Sequence, residues 1–161
     1  MGGTNLIEKA AVLFHQAFEA QMRGDLDEAV RLYRRSLEAH PTAEAHTFLG
    51  WTYSFQGRLE DAIEECKKAI AVDADFGNPY NDIGAYLMQM GRIDDAIPWL
   101  EKATRAPRYE APQFPRFNLG RVYVAKQMYS RALEQFREAL RLRPDYEEAA
   151  VVIEALKRKL N

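Results

Sequence analysis

The chain has 161 residues, a formal net charge of −2 at pH 7 and a single cysteine, and 47% of its residues are hydrophobic. The length suits one domain, the small charge gives no general attraction to nucleic acid, and one cysteine excludes an internal disulfide framework. No apolar run approaches the ~20 residues that span a membrane, and the N-terminus lacks the basic-then-apolar order of a signal peptide. We therefore predict a cytoplasmic protein without a membrane span, with export after removal of a signal as the alternative.

A fixed spacing of small residues runs through the chain. Gly57 and Gly91 are 34 residues apart, as are Gly50 and Gly84, and Gly120 follows 36 residues later. Self-similarity at a period near 34 predicts stacked helix pairs, each joined by a turn that contains glycine. The predicted helices end near residues 22 and 39 and then span 42–56, 59–72, 76–90, 93–105, 113–126, 129–142 and 145–160.

The mid-helix glycines suggest close packing within each pair. Gly50, Gly84 and Gly120 lie inside predicted first helices, where glycine costs about 1 kcal/mol relative to alanine. Alanines recur on the second helices at residues 62, 96 and 132. We predict that glycine faces alanine and that the two helix axes approach closely.

Residues 106–116, APRYEAPQFPR, interrupt the period with three prolines. They coincide with the two extra residues of the 36-residue spacing. We predict an extended loop between repeats, which is either a partner contact or a tolerated insertion.

The recurring order Leu49, Gly50, Tyr53, Gly57, Ala62 resembles the tetratricopeptide repeat family. The usual tryptophan is replaced in all four repeats, and the closing proline is kept only at Pro41 and Pro144. The resemblance implies an all-α, right-handed superhelical solenoid of four antiparallel helix pairs plus a C-terminal capping helix. It places repeats at about 8–41, 42–75, 76–111 and 112–144, with the capping helix at 145–160, in a single domain.

The resemblance also implies that the first helix of each pair lines a concave groove that holds a segment of a protein partner. Carried over helix by helix, the groove positions are Phe14, Phe18, Gln21, Thr47, Trp51, Ser54, Phe55, Asn78, Asn81, Met88, Phe117 and Arg121. Because aromatic side chains anchor interfaces, we predict a scaffold that binds an apolar segment, such as an amphipathic helix. The alternative interpretation is that Phe14 or Phe55 packs between repeats.

Two kinds of partner are weighed against this prediction. One subset of the family grips chaperone C-terminal carboxylates through cationic clamp positions, which here hold Phe14, Phe18, Phe48, Asn78 and Asp82. None is cationic and Asp82 would repel a carboxylate, so chaperone tails are disfavoured. Residues 107–120 resemble bacterial pilus-assembly pilot proteins, which makes a self-associating assembly factor, including a homodimer through the ends or the convex face, the alternative function.

No catalytic constellation is visible in the sequence. The three histidines, at residues 15, 40 and 46, fall at unrelated positions without a metal-binding spacing. The carboxylates cluster at predicted helix starts, where they cap helices. We therefore predict no enzyme activity, no catalytic residue, no metal and no cofactor.

Overall fold

The computed structural model describes the backbone of residues 2–161 and the side chains of residues 5–161. This part of the chain forms nine helices, and its only β-type pairing is a single bridge between Phe76 and Arg108. The helices are α1 (Gly2–Met22), α2 (Leu26–Ala39), α3 (Ala43–Phe55), α4 (Leu59–Val72), α5 (Asn78–Gln89), α6 (Ile93–Arg105), α7 (Gln113–Ala125), α8 (Tyr129–Leu142) and α9 (Glu147–Leu160). The predicted all-α solenoid is confirmed.

Each helix packs mainly on its neighbours in the chain. The most extensive packing joins α1 to α2, α3 to α4, α5 to α6 and α7 to α8, and α9 covers α8 at the C-terminal end. The first helices of successive pairs also contact one another directly, α1 with α3, α3 with α5 and α5 with α7. The stack therefore curves towards these four helices, and we call the surface that they line the concave groove.

The turns within the pairs repeat one backbone conformation. Gly24, Gly57 and Gly91 have φ values of 81°, 77° and 78°, and Gln127 takes the same place with a φ of 60°. In the second pair, the amide of Arg58 donates to the carbonyl of Tyr53, and Met128 donates to Tyr123 in the same way in the fourth pair. Each first helix thus ends in a left-handed residue followed by a backward hydrogen bond.

The expectation that the mid-helix glycines face alanine holds at Gly50, where a Cβ would lie 2.9 Å from the carbonyl oxygen of Ala62, and is corrected at Gly84 and Gly120. A Cβ on Gly84 would lie 2.4 Å from Leu100 Cδ2, and one on Gly120 would lie 2.6 Å from the ring of Phe136. The large side chain of the second helix therefore lies directly over the glycine. At Gly50, the smaller Cys66 lies beside Ala62, with its Sγ atom 3.3 Å from the position of a Cβ.

The loop of residues 106–112, which we call the inter-repeat loop, folds back onto the connection between α4 and α5. The amide of Gly77 donates to the carbonyl of Arg108 at 2.9 Å, and the amide of Arg108 donates to the carbonyl of Asp75 at 3.1 Å. The Arg108 guanidinium also binds Asp73 and Glu44, at 2.6 and 3.0 Å. This loop is therefore anchored to the preceding repeat by backbone and side-chain contacts.

Candidate partner-binding groove

Five aromatic side chains meet at the N-terminal end of the concave groove. Phe48 lies at their centre, with ring centroids 5.2 Å from Phe14, 5.9 Å from Phe18 and 5.8 Å from Trp51. Phe55 extends the group through Trp51, at 5.1 Å. Most of these rings meet edge to face, the arrangement that aromatic quadrupoles favour. We call these five residues the aromatic cluster.

The aromatic cluster remains partly open to solvent. Phe55 is 58% exposed, while Phe14, Phe18, Phe48 and Trp51 are half-buried. Phe14 also packs on Tyr33 of α2 at 5.6 Å, so it does contribute to the packing between helices. The other rings leave a shared apolar surface on the concave side.

A pocket of about 340 Å³ adjoins the aromatic cluster. Side chains from α3, α5, the start of α7 and the inter-repeat loop line it, and we call it the Asp82 pocket. Its lining consists of Thr47, Phe48, Trp51, Asn78, Asn81, Asp82, Tyr109, Ala111 and Phe114. The pocket and the aromatic cluster share Phe48 and Trp51, so they form one continuous surface.

The inter-repeat loop supplies one wall of this pocket through Tyr109. The Tyr109 ring lies over the backbone of Gly77, where a Cβ would come within 2.5 Å of its Cδ2 atom. Glycine at this position therefore lets the ring approach the start of α5. The sequence left open whether this segment is a partner contact or a tolerated insertion, and its position makes it part of the groove wall.

Asp82 is a half-buried carboxyl group in an otherwise uncharged lining. Burial raises its pKa to about 7, because the surrounding protein stabilises the ionised form less than water does. Its charge reaches Cys66, Tyr86 and Tyr109, whose own pKa values are raised by burial. Among the described residues, no cation pairs with it.

A row of amide groups crosses the floor of the groove next to the pocket. Asn118 donates to Asn81 Oδ1 at 3.0 Å, and Arg121 donates to Asn118 Oδ1 at 3.2 Å. This row fixes the Asn81 side chain, which is itself buried at 8% exposure. The predicted residues Asn78, Asn81 and Thr47 line the pocket, and Thr47 is 4% exposed, with its hydroxyl donating to the Ala43 carbonyl. The predicted Arg121 lies outside the pocket lining and contacts it through Asn118.

Other residues assigned to the groove also make contacts within the stack. Gln21 is buried in the core at 6% exposure, where its side-chain oxygen accepts a hydrogen bond from the Tyr33 hydroxyl at 2.8 Å. Phe117 packs on Phe136 and Tyr146 at 5.1 and 5.0 Å, closing the C-terminal end of the stack. Met88 packs against the core, and the Ser54 hydroxyl donates to the carbonyl of Trp51.

Phe48, Asp82 and Tyr109 line this surface but were absent from the predicted groove. Phe48 and Asp82 are 34 residues apart and occupy the same position of successive repeats, so the period could have identified both. Tyr109 has no equivalent position, because it belongs to the insertion, and only the folded loop places it in the groove.

A larger cleft, of about 770 Å³, lies on the side of the second helices between α4 and α6. Its lining includes five exposed carboxylates together with Lys67 and Arg92. Exposed charges of mixed sign are well solvated and interact weakly with one another. The concave surface is the stronger candidate, because it combines apolar rings with few polar groups.

Metal and membrane sites were also considered. Within residues 5–161, no group of three or more histidine, cysteine or carboxylate side chains could hold a metal ion. None of the described helices combines the length and the apolarity that a bilayer crossing requires.

Comparison with known proteins identifies the repeat. A family model described as tetratricopeptide repeat matches residues 3–75, and two more models with this description match residues 78–108 and 115–151. The chain belongs to the tetratricopeptide repeat family. Tetratricopeptide repeat proteins bind protein partners, and no model of an enzyme family is among these matches.

Individual relatives add detail to the family assignment. The chain is 30% identical over 121 residues to the type IV pilus assembly protein PilF of Pseudomonas aeruginosa. The aligned region covers 74% of this chain and 48% of that protein. The chain is 26% identical over 153 residues to tetratricopeptide repeat protein 8 of Caenorhabditis elegans, covering 94% of this chain and 30% of that protein. The tetratricopeptide repeat chain described here thus spans less than half of each of these two relatives.

Two solved structures share the architecture. The structure of Pseudomonas aeruginosa PilF superimposes with a TM-score of 0.89 at 26% identity, over 96% of this chain and 70% of that one. A crystal structure of MamA gives a TM-score of 0.76 at 25% identity, over 94% and 82% of the two chains. These likenesses agree with a scaffold that contacts other proteins.

Proposed function

We propose that this tetratricopeptide repeat chain is a non-catalytic scaffold that holds an apolar segment of a protein partner in its concave groove. The observation that carries the proposal is the aromatic cluster, which leaves neighbouring rings partly uncovered on the concave face. Large aromatic side chains at the centre of an interface contribute most of its binding energy. An amphipathic helix would present apolar side chains at the spacing of one turn to such a surface.

The test uses peptides selected on the protein from a random-peptide display library. A fluorescent copy of a selected peptide is titrated with wild type and with the Phe18→Ala/Trp51→Ala double variant. We expect the double variant to bind at least ~30-fold more weakly, because two central anchors are truncated. Far-ultraviolet circular dichroism should show unchanged helicity.

Trp99→Ala provides the matched control, since Trp99 is a half-buried aromatic residue of α6 that lines the opposite cleft. It should bind the peptide like wild type. Equal binding by wild type and the Phe18/Trp51 variant would contradict the proposal, as would a failure to select any peptide that competes for this groove.

A second candidate function is self-association in an assembly, such as the type IV pilus assembly that the name of PilF states for that protein. It is favoured by three apolar side chains of α1, Leu6, Ile7 and Val12, which are 47%, 52% and 57% exposed. Light scattering after size-exclusion chromatography across a concentration series tests it. A dimer that Val12→Glu dissociates would support this function, and a monomer at every concentration would reject it.

The cytoplasm remains the compartment that we propose for the scaffold. Fractionation of the source cell, with antibody detection of the untagged protein, tests this assignment. Recovery with an exported fraction would instead support the export alternative.

A further inference from the structure

Among the side chains of residues 5–161, none serves as a counter-ion for the carboxylate of the Asp82 pocket. Two arginines belong to elements that border the pocket, but Arg108 is held by Asp73 and Glu44, and Arg121 donates to Asn118. The other side chains of the lining are aromatic, amide, hydroxyl or methyl groups. A carboxylate in such a lining lacks the hydrogen bonds and opposite charge that normally accompany burial.

The lining has the chemistry of a site for an organic cation. Trp51, Tyr109 and Phe114 offer aromatic rings, whose faces attract a positive charge, and Asp82 offers the opposite charge beside them. A guanidinium group is planar, stacks on aromatic rings, binds a carboxylate through two parallel hydrogen bonds and is more weakly hydrated than an ammonium group. Arginine therefore loses less hydration free energy than lysine does when it enters this partly desolvated pocket.

We propose that the Asp82 pocket binds an arginine side chain of the partner segment, with Asp82 as the counter-ion and the rings of Trp51 and Tyr109 beside the guanidinium. The proposal deepens the proposed function and rests on it, because the same segment would place an apolar side chain on the aromatic cluster. Phe48 and Trp51 belong to both surfaces, so the two anchors would lie close together along the segment.

The proposal predicts the pH dependence of binding. The titratable groups that interact with the charge of Asp82 are Cys66 on α4, Tyr86 on α5 and Tyr109 on the inter-repeat loop. Burial raises all three pKa values, so these groups stay neutral between pH 5.5 and 8, and the pocket residues from α3 and α7 carry no charge. Because burial raises the pKa of Asp82 to about 7, a rise from pH 5.5 to 8 ionises it and should strengthen arginine binding roughly tenfold.

The experiment titrates the ¹⁵N-labelled protein with N-acetyl-arginine-methylamide and follows the two tryptophan indole N–H signals by nuclear magnetic resonance. Trp51 lines the pocket, while Trp99 lies in the opposite cleft and serves as an internal control. The neutral citrulline analogue and the lysine analogue are titrated in parallel, at pH 5.5 and 8. We expect the arginine probe to shift the Trp51 signal alone, the lysine probe to bind severalfold more weakly, and the citrulline probe to leave the signal in place.

Asp82→Asn should weaken binding of the arginine probe at least tenfold and abolish its pH dependence. Glu60→Gln, which makes the same charge change on the opposite cleft, should bind like wild type. The proposal is overturned if Trp51 does not respond to the arginine probe, if citrulline binds equally well, or if Asp82→Asn binds like wild type. Because this probe does not need the apolar segment, peptide capture by the aromatic cluster would survive such a result.

Discussion

At the residue scale, Asp82 opposes folding at neutral pH. An unfolded aspartate ionises with a pKa near 3.9, whereas burial raises the pKa of the folded Asp82 to about 7. Between these values the folded state holds a proton that the unfolded state has released, so stability falls as pH rises from about 4 to 7. A side chain that lowers stability and lies in a pocket fits a functional role better than a structural one.

Asp82→Asn is expected to stabilise the protein at pH 8 by about 1–2 kcal/mol and to have little effect at pH 4, because the amide does not titrate. The magnitude allows for partial access of solvent to Asp82. Urea denaturation of both proteins at the two pH values measures the difference. Glu60→Gln should show no comparable change with pH, and a constant difference for Asp82→Asn would reject this account.

At the scale of single elements, the turns and the inter-repeat loop follow different rules. The turns depend only on the local sequence, because each needs one residue that tolerates a positive φ directly after the first helix of its pair. The inter-repeat loop depends on partners distant in the chain: Gly77 for the ring of Tyr109, and Glu44 for Arg108. Local sequence therefore specifies the turns, while the loop conformation requires the packed repeat that precedes it.

Gln127 occupies the turn position that glycine holds in the other three pairs, and its φ of 60° strains an L-residue. Gln127→Gly is expected to raise the free energy of unfolding by about 1 kcal/mol. Gln16→Gly, at an exposed position inside α1, should instead lower it by about 1 kcal/mol. Urea denaturation measures both, and a loss of stability in Gln127→Gly would contradict the proposed strain.

At the scale of the whole molecule, the stability of each helix pair depends on its interfaces with the neighbouring pairs. Each pair contacts mainly the pairs beside it, and α9 covers the open side of α8 with Ala149, Ile153 and Leu156 buried. In such a stack, the loss of one interface loosens the adjacent elements before distant ones. The aromatic cluster lies on α1 and α3, away from α9, and so it should survive local opening of the C-terminal end.

Ile153→Ala is expected to cost about 2–4 kcal/mol locally, because Ile153 is 5% exposed on the face of α9 that covers α8. Hydrogen exchange followed by mass spectrometry should show faster exchange in α9 and α8 and little change in α1 to α3. Val151→Ala, at a position of the same helix that is 68% exposed, is the control and should leave exchange unchanged. Uniformly faster exchange in the Ile153 variant would contradict neighbour-to-neighbour stability.

The sequence by itself determined the helices, the turns and the stacked pairs, because glycine and apolar residues recur at a spacing that only paired helices satisfy. It also indicated aromatic residues on the first helices. Only the tertiary structure decided that Gln21 faces the core and that Tyr109 lies beside Asp82 in one pocket. These features depend on contacts between residues far apart in the chain and on a loop outside the repeat, so no local pattern encodes them.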